Sequence, residues 1–485
     1  MSDDLAYLPA IEAARLFRER ELSPVELLRA LIERSERIEP LLNAFAATYF
    51  DEALEQARRA EARFMTTDGQ PRALEGLPLV VKSDLDSAIR GKVSSDGALW
   101  LKDAVQRHTS PSIERLLDAG AIVHAQTTMP ELGWSWTCHS RLHGTTRNPW
   151  NPALTCGGSS GGSAASLAAG LSTLATGTDC LGSLRHPSAM CGILGYKPPY
   201  GRNPQHSTVQ LDFFTHIGPM ARSVADCILV QNVMAGPHPL DHTTVTPKVT
   251  LASPVADLEG IDIAYSLDLG CFPVTDDVRR ETLASLDALQ AAGATTTEVA
   301  VDWAQEVVDA SSDYLDRLYG DEFVDAIRDH PGEICESTPY YAQEASRVTA
   351  EQFHVALETA GAVWRDHFGP LFQRFDAFLC PTLAFHHVPA DNLPWQRNIP
   401  VGGALYTDHD GVMTGLFNMF SRCPVLATPS GFTDGGLPTS VQIAARPYDD
   451  AAAFRVAAAL ERARPWLDAP ERRPKLAPTT VSARA

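Results

Sequence analysis

The sequence lacks any stretch approaching the roughly 18 uninterrupted apolar residues that a membrane-spanning helix needs, so no membrane contact is expected. It also lacks a dense Lys/Arg cluster, and its formal charge is −20. A surface this acidic repels phosphate backbones, which argues against nucleic acid as a direct partner. The nine cysteines are odd in number and scattered from Cys138 to Cys423, with no CxxC pair. They read as reduced, mostly buried thiols and not as a disulfide framework. No HExxH occurs; His139 and His143 are four apart, but Arg141 and Gly144 between and beside them point to a loop, so no metal is expected. Met1 to Phe17 carries Asp3, Asp4 and Glu12 and has neither the basic start nor the apolar run of a secretory leader, so the expected location is cytoplasmic.

What remains is ordinary for a folded enzyme: 485 residues, 44% hydrophobic and 21% charged. Ser23-Pro24-Val25-Glu26 is a capping box with proline at the first helical position, and Leu27, Leu28, Leu31 and Ile32 follow on one face. From Leu74 the text changes. Leu77 to Val81 is a short apolar, β-branched run that ends abruptly in Lys82, with Asp84 and Asp86 beyond it, as a buried strand ends at a polar site. Helix and strand then alternate, and 302–372 reads as mostly helical, a cap over a sheet. The expected fold is α/β: a single large α/β/α domain with a central mixed, mostly parallel β-sheet covered by helices on both faces. Residues 74–230 and 375–465 should share one core within a domain of residues 1–466, with 467–485 a disordered tail.

Three pieces carry the chemistry. Gly157 to Ala165 interleaves four glycines with serines before an Ala-rich helix, Gly177 to Arg185 is a second glycine-supported segment bearing a serine, and Lys82 ends its strand. Singly each has a dull explanation: a linker, an anion-binding turn, a solvated lysine. Against the linker stands the apolar continuation Leu167, Ala168, Ala169 and Leu171; against a phosphate cradle stands the missing Walker lysine.

Together, and with Gly195-Tyr196-Lys197-Pro198, Gly218 to Asp226, Phe417-Asn418 and Gly436 to Ile443, these segments resemble the amidase-signature family in order and spacing over nearly the whole chain. The resemblance implies a Ser–cisSer–Lys triad: Ser183 as nucleophile, Ser159 as relay 24 residues earlier, joined to Gly158 by a cis peptide, and Lys82 as base. A serine hydroxyl needs a proton acceptor to become nucleophilic, and a lysine accepts only when neutral, which apolar neighbours such as Leu79, Val80 and Val81 favour. Backbone N–H groups of Cys180, Leu181, Gly182 and Ser183 would hold the oxyanion. Ser160, Asp179 and Arg185 would support the site, and Met129, Trp134 and Trp136 are candidates for the substrate pocket. Two departures stand out: Leu181 replaces a glycine usual in the family, and Ser421-Arg422-Cys423 replaces a more apolar stretch.

The implied function is hydrolysis of the C–N bond of a small to medium carboxamide, or of a related acyl hydrazide, anilide or carbamate, through an acyl-enzyme and with no cofactor. The alternative is the amidase subunit of a tRNA-dependent amidotransferase, handing ammonia to a partner; a non-catalytic scaffold is disfavoured because all three triad positions are filled. A homodimer is compatible with either enzymatic reading.

Overall fold

The computed structural model describes residues 2–66, 70–207 and 209–476. Its centre is one 11-stranded sheet. In chain order the strands are β1 (Phe45–Thr48), β2 (Pro78–Lys82), β3 (Ile122–Thr127), β4 (Leu174–Asp179), β5 (Leu194–Lys197), β6 (His216–Ala221), β7 (Asp262–Tyr265), β8 (Thr295–Glu298), β9 (Ala377–Pro381), β10 (Val425–Phe432) and β11 (Pro438–Ala445). Across the sheet they run β1-β3-β2-β4-β6-β5-β10-β11-β9-β7-β8. Because β5 pairs with β10, the N- and C-terminal parts of the chain share this sheet.

The sheet is mixed, as expected, but it is not mostly parallel. Six of the ten neighbouring pairs are antiparallel, and the four parallel pairs lie toward the two wings. The difference has a local cause. On local propensity residues 195–200 read as a turn and 216–221 suggest no element, yet β5 and β6 form the antiparallel centre. Both contain glycine, and Gly218 of β6 faces Gly177 of β4 directly in register. Glycine weakens strand propensity, but here it lets tightly packed strands approach one another.

Both faces of the sheet are buried, and side chains alternate between them. Ala377 and Leu379 of β9 enter the larger apolar cluster, with Leu426, Val441 and Ile443 of the neighbouring strands. Phe378 and Cys380 point the other way, into a second cluster with Phe368, Phe417 and Val425. The larger cluster is closed by helices that include Gly161–Ala168, Val224–Met234, Asp276–Ala291 and Asp450–Ala463; the second lies under the helices Ala304–Asp329 and Ala350–Val363. Ser23 forms the expected capping box at the start of the helix Pro24–Leu42. The C-terminal end is more ordered than expected: Trp466 and Leu467 are buried, Trp466 Nε1 donates to Arg222 O at 2.7 Å, and Pro470–Arg472 forms a 3-10 turn. The rest of the expected tail, 477–485, lies outside the described residues. Among the described residues no helix is long and apolar enough to cross a membrane.

Candidate active site

β2 and β4 are parallel neighbours, so their carboxyl ends open on the same edge of the sheet. Open α/β sheets bind ligands at that edge. β2 delivers Lys82 there, and β4 delivers Thr178 and Asp179 followed by the loop Cys180–Leu184. Ser159 and Ser160 sit immediately before the helix Gly161–Ala168, and the Gly158–Ser159 peptide is cis. The Ser160 N–H donates to Ser183 O at 3.0 Å, which ties the two glycine segments together. Ser160 Oγ accepts from the Thr178 N–H at 3.2 Å and donates to Thr178 O at 3.3 Å, clamping the same segment onto β4.

Lys82 is 1% exposed, and its Nζ donates to Ser159 Oγ at 2.8 Å and to Thr178 Oγ1 at 2.6 Å. Thr178 Oγ1 in turn donates to Asp84 Oδ2 at 2.7 Å, and Asp84 Oδ2 lies 3.3 Å from Lys82 Nζ. The sequence places apolar residues before this lysine and Asp84 just after it; the structure shows that the Asp84 carboxylate, with Thr178, fixes the amine. Ser183 is half-buried and opens on the same cavity, and its Oγ has no hydrogen-bond partner among the described residues. Lys82 and Ser159 are thus joined directly, while Ser183 shares their cavity without a bond to Ser159.

The loop that bears Ser183 is held from below. Arg185, fully buried, bonds Asp179 through Nε at 2.9 Å and Nη2 at 3.1 Å, and reaches Gln442 Oε1 and Thr414 O at 3.0 Å each. Asn418 closes the ring, its amide donating to Asp179 Oδ1 at 2.8 Å. Burial alone would push the Asp179 carboxyl up, but Arg185 and Asn418 outweigh it and hold it well below the ordinary carboxylate range. Gly182 N–H donates to Asp179 Oδ1 at 2.7 Å. That N–H is therefore committed to the loop and not to an oxyanion, which corrects one of the four expected donors and leaves Cys180, Leu181 and Ser183. At Gly182, φ is +128° and a Cβ would collide with Thr414, so this position requires glycine. The Leu181 side chain lines the cavity and packs over Gly415, where a Cβ would come within 3.1 Å of its Cδ1. Cys180 Sγ lies 2.9 Å from Thr215 Oγ1, and burial pushes its thiol up, which makes it a poor nucleophile.

The cavity has a volume of about 530 Å³, within the usual range for a small-molecule site. Met129, Trp134 and Trp136 line it, whereas Ser160, Asp179 and Arg185 lie behind it. Thr178 is not singled out by sequence, although it flanks Asp179, which is; Asp84 is noted there only as part of the polar end of the Lys82 strand. The opposite wall, contributed by the cap helix Ala304–Asp329 and by Tyr340 and Tyr341, carries no recognisable motif.

Comparison with known proteins fits this geometry. The amidase family profile matches residues 26–454. An acylamidase of Rhodococcus erythropolis is 32% identical over 96% of this chain and 97% of its own length. A glutamyl-tRNA(Gln) amidotransferase subunit from Deinococcus radiodurans is 31% identical over 94% of this chain and 97% of its own. The crystal structure of a bacterial aryl acylamidase of the amidase-signature enzymes superposes with a TM-score of 0.86 at 27% identity, covering 95% of this chain and 97% of that one. The chain belongs to the amidase family, the amidase-signature enzymes, and is a hydrolase that acts on amides.

Proposed function

We propose that this enzyme hydrolyses acyl amides, anilides included, with Ser183 as nucleophile, Ser159 as relay and Lys82 as base. The observation that carries the reading is the Lys82 Nζ–Ser159 Oγ hydrogen bond of 2.8 Å beside a cavity on which Ser183 opens. A neutral lysine amine has two N–H donors and one lone pair. In that neutral form Thr178 Oγ1 and Asp84 Oδ2 remain the acceptors beside it, so the contact with Ser159 reverses and the Ser159 hydroxyl donates to the lone pair. Ser159 can then pass its proton to Lys82 while taking one from Ser183, a contact that tightens once substrate fills the cavity. Ser183 Oγ attacks the carbonyl carbon, and the oxyanion is taken up by the N–H groups of Cys180, Leu181 and Ser183, each such donor contributing roughly 3 kcal/mol. The C–N bond breaks as the proton returns through Ser159 to the leaving nitrogen. Water then attacks the acyl-serine along the same relay, releasing the acid.

The relatives favour an acylamide or anilide among the amide classes. The amidotransferase reading rests on the match to the Deinococcus protein. It is weakened by the charge of −20 and by the absence of arginine from the cavity lining among the described residues, which leaves nothing suited to the carboxylate of an amino-acid ammonia donor. Labelling with a fluorophosphonate tests the mechanism. The probe should modify the peptide containing Ser183, and Ser183→Ala should lose both labelling and turnover of a 4-nitroanilide; modification of Cys180 instead would reassign the nucleophile.

A further inference from the structure

The cap helix Ala304–Asp329 lays one stripe of side chains on the cavity: Ser312, Leu315, Asp316, Tyr319 and Glu322. Their spacing of three or four puts them on a single helix face. The stripe includes two acids, and the wall near Lys82 adds Asp86 and Asp96. On the same helix Asp325 and Asp329 pair with Arg328, and Asp309 accepts from Gln305, whereas Glu306, Asp313 and Asp321 lie off the cavity. Asp86, Asp316 and Glu322 have neither an ion pair nor a side-chain hydrogen bond among the described residues.

The basic groups on the cavity already have partners. Lys82 is held by Asp84, and His409 Nδ1 lies 3.0 Å from Asp408 Oδ1. His108 stacks on His206 with ring centroids 3.8 Å apart, and burial pushes His108 down. Burial raises Asp86, Asp316 and Glu322, and neighbouring carboxylates add to it at two of them. Burial, then Asp84 and Asp96, push Asp86 up; burial and Glu344 push Asp316 up to about 7; burial raises Glu322. A second, independent observation points to a ligand on the same wall. Tyr341 is 5% exposed, and its Oη forms no hydrogen bond of normal geometry among the described residues, with the Ser135 side chain beside it. Tyr340 packs against it with centroids 5.5 Å apart, and Trp134 lies 5.7 Å from Tyr319, so the acids are set among aromatic faces that also attract cations.

We propose that the substrate carries a positive charge, an ammonium or amidinium group, seated between Asp316 and Glu322 of the cap helix and the aromatic side chains beside them, while its amide carbonyl lies at Ser183. This rests on the hydrolase reading above and narrows it. Charge-assisted hydrogen bonds away from bulk water are about twice as strong as neutral ones, so cation selectivity should reach roughly tenfold or more.

The test uses the full chain and matched substrates in which –CH2–NH3+, –CH2–CH3 or –CH2–COO− occupies the same para position. One arm carries the group on the acyl part of benzoyl 4-nitroanilides, the other on the leaving aniline of acetanilides, which identifies the side on which the cation sits. The ammonium compound should exceed its ethyl counterpart about tenfold in kcat/KM in one arm, with the carboxylate slowest. That ratio should fall several-fold in the Asp316→Asn/Glu322→Gln double variant and at 0.5 M salt. A ratio within twofold of unity in both arms, a preference for the carboxylate, or a ratio untouched by the double variant would overturn the proposal. Calorimetry on Ser183→Ala with the uncleaved ammonium and ethyl compounds separates the two readings. Selective binding of the ammonium compound without wild-type turnover would sustain the cation site and refute the hydrolytic mechanism, whereas turnover without selectivity would do the reverse.

Discussion

Thr178 is the most informative single position, because it touches the base without touching substrate in the proposed mechanism. Its Oγ1 receives a hydrogen bond from Lys82 at 2.6 Å and donates one to Asp84 at 2.7 Å, and all three side chains are buried. Thr178→Val keeps the shape and removes both bonds. Lys82 then has one fewer fixed acceptor, and its lone pair is no longer confined to the direction of Ser159. The bond to the Asp84 carboxylate is of the charged kind that contributes about 1.5–3 kcal/mol, and losing that hold on the base corresponds to a loss of roughly 10- to 100-fold in rate. Because the bond orients the base and not the substrate, the loss should fall on kcat for an anilide, with KM little changed. The rate of fluorophosphonate labelling at Ser183 should fall in parallel. Thr178→Ser, which restores the hydroxyl, should recover most of the activity. If Thr178→Val stays within threefold of the parent in kcat, or if Thr178→Ser falls as far as Thr178→Val, the threonine does not position the base and the lone-pair argument fails.

Lys82→Ala should reduce acylation by several orders of magnitude, and Ser159→Ala by less, because water can stand in for a hydroxyl relay; activated esters, whose leaving groups need little protonation, should lose less than amides in both. Amide turnover within a few-fold of the parent in Lys82→Ala would refute the role of the lysine. Arg185→Met strands the Asp179 carboxylate at full burial, so unfolding free energy should drop by about 3–5 kcal/mol; denaturant midpoints unchanged from the parent would show that the Asp179–Arg185 pair does not hold the loop. Burial pushes His186 down to about 3, below its unfolded value, so its stabilising contribution is complete above about pH 6.5 and declines as pH falls toward that folded value. At pH 5 this amounts to about 2 kcal/mol at 1.36 kcal/mol per pH unit. His186→Gln should therefore lose its stability deficit relative to the parent by about that amount between pH 7 and pH 5 in paired urea titrations; a deficit that stays constant would place a charged imidazole in the folded protein.

The sequence was legible where chemistry and backbone geometry impose narrow residue choices. The Gly-Ser segments, the lysine closing an apolar strand, and Asp179, Arg185 and Asn418 are of this kind, and the structure gathers all of them at one edge of the sheet. The antiparallel centre was not legible, because β5 and β6 hold Gly195 and Gly218 for close packing, so that on local propensity the first reads as a turn and the second suggests no element. Gly182 N–H could not be removed from the oxyanion set in advance, since nothing local announces that Asp179, three residues earlier, turns back to take it. The acidic wall was hidden for a different reason. Asp316, Tyr319 and Glu322 are spaced like any solvated helix face, and only the tertiary packing of the cap turns that face onto the cavity shared with Ser183. The same packing explains why catalytic and selective residues differ in legibility. The proposed catalytic groups sit in glycine-rich segments or at a strand end that breaks from apolar to polar, whereas residues of the cap reach the cavity only through tertiary packing. A change at Asp316 or Glu322 can therefore alter what the cavity accepts while Ser183, Ser159 and Lys82 stay where the sheet holds them, and the two functions should separate in variants.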